Sequence, residues 1–358
     1  MALTIMVSHY VGGFYYGFPL ASLGRQMLLV LSAYFATNIL LRLKQSGRMM
    51  ASLKAFYVRR WLRLYPVYAI IVLGVGLLLY AFGTPETLLE QTPWHLLYAS
   101  NYYFFIHNQW SEVTSPWWTL SAIEQFYLIW PLVVLRWKSS TAIRVAYALL
   151  VLGIVSNIAC ALIIPSDQNN TLTLNCLPYL AIGGILALHL SSSSSGRPFT
   201  EQLLRHPWWA VGAFTLLWLG SLRLEYLVFG AFVSASLAFA GFTRRVIAHP
   251  SSKDPGAPLA LLAYFGRASF IIYLIHTVVR HVVIRGYYWM VHAEVFSFLP
   301  NPLSDVWLVS GSIVTTLICS ALLHEYLEQP FMDLRSRTQS PKPAPAYQVG
   351  PEAAGVRS

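Results

Sequence analysis

The sequence predicts an all-α polytopic membrane protein, and three observations carry that prediction. Of 358 residues, 56% are hydrophobic and only 11% are charged, against about 25% charged in an ordinary soluble domain. The mean hydropathy is +0.54. Stretches such as 69–82 and 142–164 are apolar on every face, whereas strands of a membrane β-barrel alternate apolar and polar residues over about ten positions. Helices, which satisfy their own backbone groups, are then the remaining way across a bilayer.

Windows of about 20 apolar residues, enough to cross about 30 Å of hydrocarbon, place ten helices near 1–18, 24–43, 62–82, 119–135, 142–164, 174–190, 208–222, 226–243, 259–279 and 303–324. Charge orients them. With 44–61 in the cytoplasm and sides alternating, all of the 24 Lys and Arg residues fall inside except Arg25, Arg223, Arg280 and Arg285. This is the positive-inside pattern, and it implies an even number of crossings with both termini cytoplasmic. It also accounts for the net charge of +10 without nucleic acid.

The chain accordingly divides into a transmembrane domain, 1–335, and a cytoplasmic tail, 336–358. The tail and the Ser-rich linker Ser191–Pro198 have too little apolar content to order themselves. Cys160, Cys176 and Cys319 lie in or beside apolar spans without ligand spacing, which predicts neither a disulfide framework nor a zinc site. The outer loop, 83–118, holds no Lys or Arg but carries Glu86, Glu90, Glu112, Trp94, Tyr102, Tyr103, Trp110, Trp117 and Trp118. Those aromatics suit a sugar-stacking surface or an interfacial belt; the gathering of Trp and Tyr at membrane interfaces favours the belt.

Ionisable residues inside spans are costly and mark function by default. His9 lies in the first span, Glu124 near the outer start of the fourth, and His276 in the ninth. A buried carboxylate must be paired, hydrogen-bonded or protonated, so Glu124 serves either chemistry or a clamp to another helix. At the cytoplasmic end of the third span, Arg59 and Arg63 share a helix face, as do Arg60 and Arg63. Three guanidinium forks suit phosphates, which they grip bidentately; contact with lipid headgroups needs only their charge. Tyr273 and His276, three apart, can face one site.

Four stretches together resemble the acyltransferase type 3 family. Val30-Leu31-Ser32-Ala33-Tyr34-Phe35 is similar to its Ser-Gly-Phe segment, with Ala33 for Gly. Phe56 to Pro66 is similar to its Phe-Tyr-x-Arg-Arg-x-x-Arg-x-x-Pro segment. Trp118 to Tyr127 resembles Trp-Ser-Leu-x-x-Glu-x-x-Phe-Tyr, with Thr119 for Ser. Gly266 to His276 resembles Gly-x-x-Ser-Tyr-x-x-Tyr-Leu-x-His, with Phe270 for the first Tyr. A weaker fifth match is Tyr326-Leu327-Glu328-Gln329-Pro330-Phe331. The likeness covers roughly 1–335, in the family's order.

The resemblance implies a bacterial inner-membrane enzyme that O-acylates carbohydrates. Acyl-coenzyme A, most often acetyl-coenzyme A, would be the cytoplasmic co-substrate, with no permanently bound cofactor and no metal. It implies His9 as general base or transient acyl carrier, Glu124 as the group that orients the imidazole or holds the acceptor hydroxyl, and Ser32 or Tyr127 as donors to the tetrahedral oxyanion. It implies Arg59, Arg60 and Arg63 as contacts to coenzyme A phosphates, with Trp118, Tyr273 and His276 supporting. The family also carries an Arg eleven positions before its catalytic His, which here falls ahead of Met1, so the likeness predicts a native start upstream. The rival readings are a proton-coupled transporter using His9, Glu124 and His276, and a degenerate family member acting as sensor or scaffold.

Overall fold

The computed structural model describes residues 1–11, 20–83, 87–164, 166–191, 206–223, 227–248, 256–292 and 301–337. The tail beyond 337 and most of the Ser-rich linker lie outside the described residues. The chain is an all-α polytopic membrane protein. Its helices are α1 (Ala2–Val11), α2 (Leu20–Lys44), α3 (Met49–Ala81), α4 (Thr92–Leu96), α5 (Ser100–His107), α6 (Trp118–Arg136), α7 (Ser139–Ile163), α8 (Thr173–Ser191), α9 (Trp208–Ser221), α10 (Leu227–Ala248), α11 (Gly256–Arg267), α12 (Ser269–His292), α13 (Asn301–Leu323) and α14 (Gln329–Arg337).

Eight helices among the described residues are long and apolar enough to cross a membrane. Two of the ten expected spans are shorter. Only 2–11 of the first is described as helix, and α9 has 14 residues, about 21 Å of rise against about 30 Å of hydrocarbon. Two others shift. The third begins at Met49 rather than near 62, because the good helix formers before Arg59 continue the helix while Leu53 and Phe56 bury against the neighbouring core. The ninth breaks at Ala268 between the polar Arg267 and Ser269, so that α12 runs on to His292 and carries Arg280 and Arg285.

Helices α2, α6, α7 and α8 form the tightest part of the bundle. Small residues let their backbones approach, as van der Waals packing between apolar helices requires. A Cβ on Gly183 would stand 2.0 Å from the Val30 carbonyl oxygen, and one on Gly153 would stand 2.3 Å from Pro178 Cδ. Trp130 fills the space beside Gly184, and its indole N–H donates to Thr37 Oγ1 at 2.8 Å.

The outer loop departs furthest from expectation. It is neither an open loop nor a simple belt: 87–117 folds into short helices that return into the bundle. Trp117, Phe104 and His95 are buried, as are Tyr103 and Trp118, whereas Trp110 and Tyr102 remain exposed. Three side-chain bonds seat the segment on α12. Trp117 Nε1 donates to the Leu274 carbonyl at 2.8 Å, Thr277 Oγ1 donates to the Val113 carbonyl at 2.6 Å, and the Tyr273 hydroxyl donates to the Pro116 carbonyl.

Replacing Gly183 with Val is expected to destabilise the bundle by at least the ~1–3 kcal/mol of an overpacked core, because the backbone carbonyl it meets cannot rotate away. The thermal midpoint of the detergent-purified protein would drop. An unchanged midpoint would show that α2 and α8 are not in the close contact described.

Candidate active site

The residues expected to form one site divide between two cavities. The first, about 320 Å³, is lined by His9, Arg25, Trp110, Ser111, Glu112, Trp118, Thr119, Tyr273 and Thr277, among others. The second, about 300 Å³, is lined by Tyr57, Arg60, Trp61, Tyr65, Tyr98, Glu124, Gln125 and Tyr127, among others. Both touch α6. Trp118 and Thr119 reach the first and Glu124 and Gln125 the second, six positions and about 9 Å of rise further on.

In the first cavity His9 projects from α1 with its ring exposed to the opening. Its centroid lies 5.3 Å from that of His276 on α12. His276 is wholly buried, and its Nδ1 faces the carbonyls of Tyr273 at 2.8 Å and Ile272 at 3.2 Å. A carbonyl can only accept, so Nδ1 carries the hydrogen and Nε2 keeps a lone pair. That Nε2 is buried with no partner among the described residues. The Tyr10 hydroxyl donates to the His276 carbonyl at 2.6 Å and lies 2.6 Å from Thr316 Oγ1, which ties α1 to α12 and α13 and fixes the register of His9.

Glu124 does not approach the imidazole. Its carboxylate accepts from Arg60 through Nε, at 3.0 and 2.9 Å, and through Nη2, at 2.5 Å. The Arg60 guanidinium also lies 3.8 Å from the centroid of Tyr127. Glu124 and Tyr127 thus gather around Arg60 in the second cavity, whereas His9 lines the first. Arg60 lies within its helix rather than at its start, because α3 begins at Met49. Glu124 stands twelve residues above Arg136, about 18 Å, and Arg60 reaches it there. Arg63 is exposed and Arg59 partly so; neither pairs with a carboxylate among the described residues.

A wall of aromatic rings stands between the cavities. Tyr98 stacks on Tyr68, centroids 4.7 Å apart, and Tyr68 meets Trp117 edge-on at 6.3 Å. Tyr98 has φ 51°, in the left-handed region, at a cost of about 1–3 kcal/mol for a bulky residue. The Gln125 amide donates to its carbonyl at 2.8 Å and helps to hold it. Sequence reasoning missed Arg25, Thr119 and Thr277 as cavity residues. Arg25, expected on the outer side at the start of the 24–43 span, sits in the second turn of α2 with its guanidinium 5.1 Å from the Trp118 ring.

Because a lone charge left inside a bundle is expensive, Glu124→Ala or Arg60→Ala alone is expected to destabilise the protein by about 3–5 kcal/mol, and the double variant by clearly less than the sum. Melting midpoints of the four proteins test this. Additive losses would show that the two groups do not form a clamp.

The sequence model of an acyltransferase domain matches residues 1–325. A curated peptidoglycan O-acetyltransferase of Listeria monocytogenes is 37% identical over 129 residues, which is 32% of this chain and 20% of that protein. The chain thus spans about a fifth of the length of that relative. No solved structure matches it. The match over 1–325 takes in all four resemblant segments, both cavities and the wall between them, and the chain belongs to the acyltransferase type 3 family of membrane O-acyltransferases.

Proposed function

We propose that this protein moves an acetyl group from cytoplasmic acetyl-coenzyme A to a hydroxyl of an extracytoplasmic or lipid-linked carbohydrate, in a bacterial inner membrane. The observation that carries this reading is His9, a solvent-open imidazole on a spanning bundle, backed by a buried second imidazole and flanked by Trp110 and Trp118. Amphipathic indoles in a polar cleft suit the faces of sugar rings. The similarity to a peptidoglycan O-acetyltransferase supports a carbohydrate acceptor.

In this mechanism neutral His9 takes the proton of the acceptor hydroxyl as its oxygen attacks the thioester carbonyl. A C–O bond forms, the C–S bond breaks, and the thiolate leaves with the proton that His9 returns. His276 acts as a positioning residue, its tautomer fixed by the Tyr273 carbonyl. The donor reading divides the arginines. Glu124 occupies the Nε–Nη2 edge of the Arg60 fork and offsets its charge, so the second cavity is close to neutral and suits the amide-bearing arm of coenzyme A. Arg59 and Arg63 remain for its phosphates. The thioester must then pass the Tyr98–Tyr68–Trp117 wall to meet His9. The positive-inside pattern supports this polarity, since Arg59 and Arg63 belong to its cytoplasmic set.

Two sets of variants test the reading. With acetyl-coenzyme A and a crude glycan extract, His9→Ala is expected to lower thiol release and acetyl transfer by about 10²–10⁴-fold without loss of the folded protein. Arg59→Gln with Arg63→Gln is expected to raise KM for acetyl-coenzyme A several-fold with little change in kcat. Transfer that survives loss of His9 would remove catalysis from this cavity and favour a scaffold role.

A further inference from the structure

Arg25 is the least explained charge in the bundle. It lies in a membrane-crossing helix, α2, and an intramembrane cation ordinarily has a partner. Among the described residues no carboxylate pairs with it. Its nearest contacts are the Ser22 hydroxyl at 3.4 Å and the Trp118 ring at 5.1 Å. The other polar groups in its field are the Cys176 thiol and the Tyr179 and Tyr273 hydroxyls, all uncharged in their ordinary state at neutral pH. Arg60, by contrast, is paired with Glu124 along its Nε–Nη2 edge.

Arg25 lines the cavity into which His9 opens. A second cation is close by: Arg280, one helical turn beyond His276 on α12, lies within electrostatic reach of the His9 ring, as does Arg25. The one carboxylate on the cavity wall, Glu112, is 88% exposed and faces His281 at 3.8 Å. Among the described residues no carboxylate is paired with Arg25, so the interior beside His9 is positive.

We propose that Arg25 is an anion subsite of the acceptor pocket, which binds a carboxylate or phosphate carried by the glycan beside the hydroxyl that is acylated. Resting on the acceptor assignment above, this makes the acceptor an acidic or phosphorylated sugar. The guanidinium fork matches both anions bidentately, and it stands 5.1 Å from the Trp118 ring. The bound anion offsets the cost of the buried cation, and it positions the neighbouring hydroxyl for His9.

The test uses the full chain in lipid nanodiscs with glucose, glucuronic acid and glucose 1-phosphate as probes, read as shifts of the melting midpoint over a concentration series. Either anionic sugar is expected to bind at least about tenfold more tightly than glucose, and the stronger of the two identifies carboxylate or phosphate. Arg25→Gln is expected to remove that preference while acetyl-coenzyme A still stabilises the protein. Arg25→Lys, which keeps the charge but not the fork, is expected to retain phosphate better than carboxylate, and it carries the test if Arg25→Gln does not fold. The proposal is overturned if glucose binds as well as its anionic analogues, if neither Arg25 variant changes the preference, or if the loss falls on acetyl-coenzyme A instead. His9→Ala separates the two readings: it should bind the sugars as wild type does. If it still transfers acetyl groups, the catalytic reading fails while the anion preference stands on its own result.

Discussion

Three bonds between segment 113–117 and α12 hold the centre of this molecule together. Trp117, Tyr273 and Thr277 each donate to a backbone carbonyl of the other element. Hydrogen bonds exchanged for none in hydrocarbon are strongly favoured, so an outer loop is drawn down into the bundle. Everything that makes the two cavities distinct follows. Trp117 meets Tyr68, Tyr68 stacks on Tyr98, and the loop that would otherwise lie at the surface becomes a partition. The same helix, α12, presents Tyr273 and Thr277 to the first cavity and sets His276 behind His9, so the partition and the imidazole pair share one support.

Charge within the bundle is handled in two ways. Arg60 and Glu124 neutralise one another by a bidentate contact and are further enclosed by Tyr127, a clamp between α3 and α6 that leaves the second cavity near neutral. Arg25 pairs with no carboxylate among the described residues and lines the same cavity as His9. The cavity that is costly to build is thus the one where chemistry is expected, as intramembrane charge often signals.

Much of the fold was legible in the sequence. Apolar runs such as 142–164 have no alternative to a helix in a bilayer, and α7 fills that range closely as Ser139–Ile163. Boundaries failed where apolarity and helix formation part company. The start of α3 is polar and basic yet helical, because Leu53 and Phe56 find a core to bury in. The motifs identified the family, and they named His9, Arg60, Glu124 and His276 as chemically loaded residues. They did not show that Glu124 serves Arg60 rather than His9.

The sequence by itself determined the class of the molecule and its family, because hydrophobic length and motif spacing are properties of the linear chain. The tertiary structure alone decided which of those residues meet. Arg60 and Glu124 are 64 positions apart, and Tyr10 and His276 are 266 apart. No periodicity encodes such encounters, since they depend on how helices cross and how close glycine lets them come. For the same reason the sequence gives Arg25 only a place at the start of the 24–43 span, and the packing of α2 against α1 and α6 sets it in one cavity with His9.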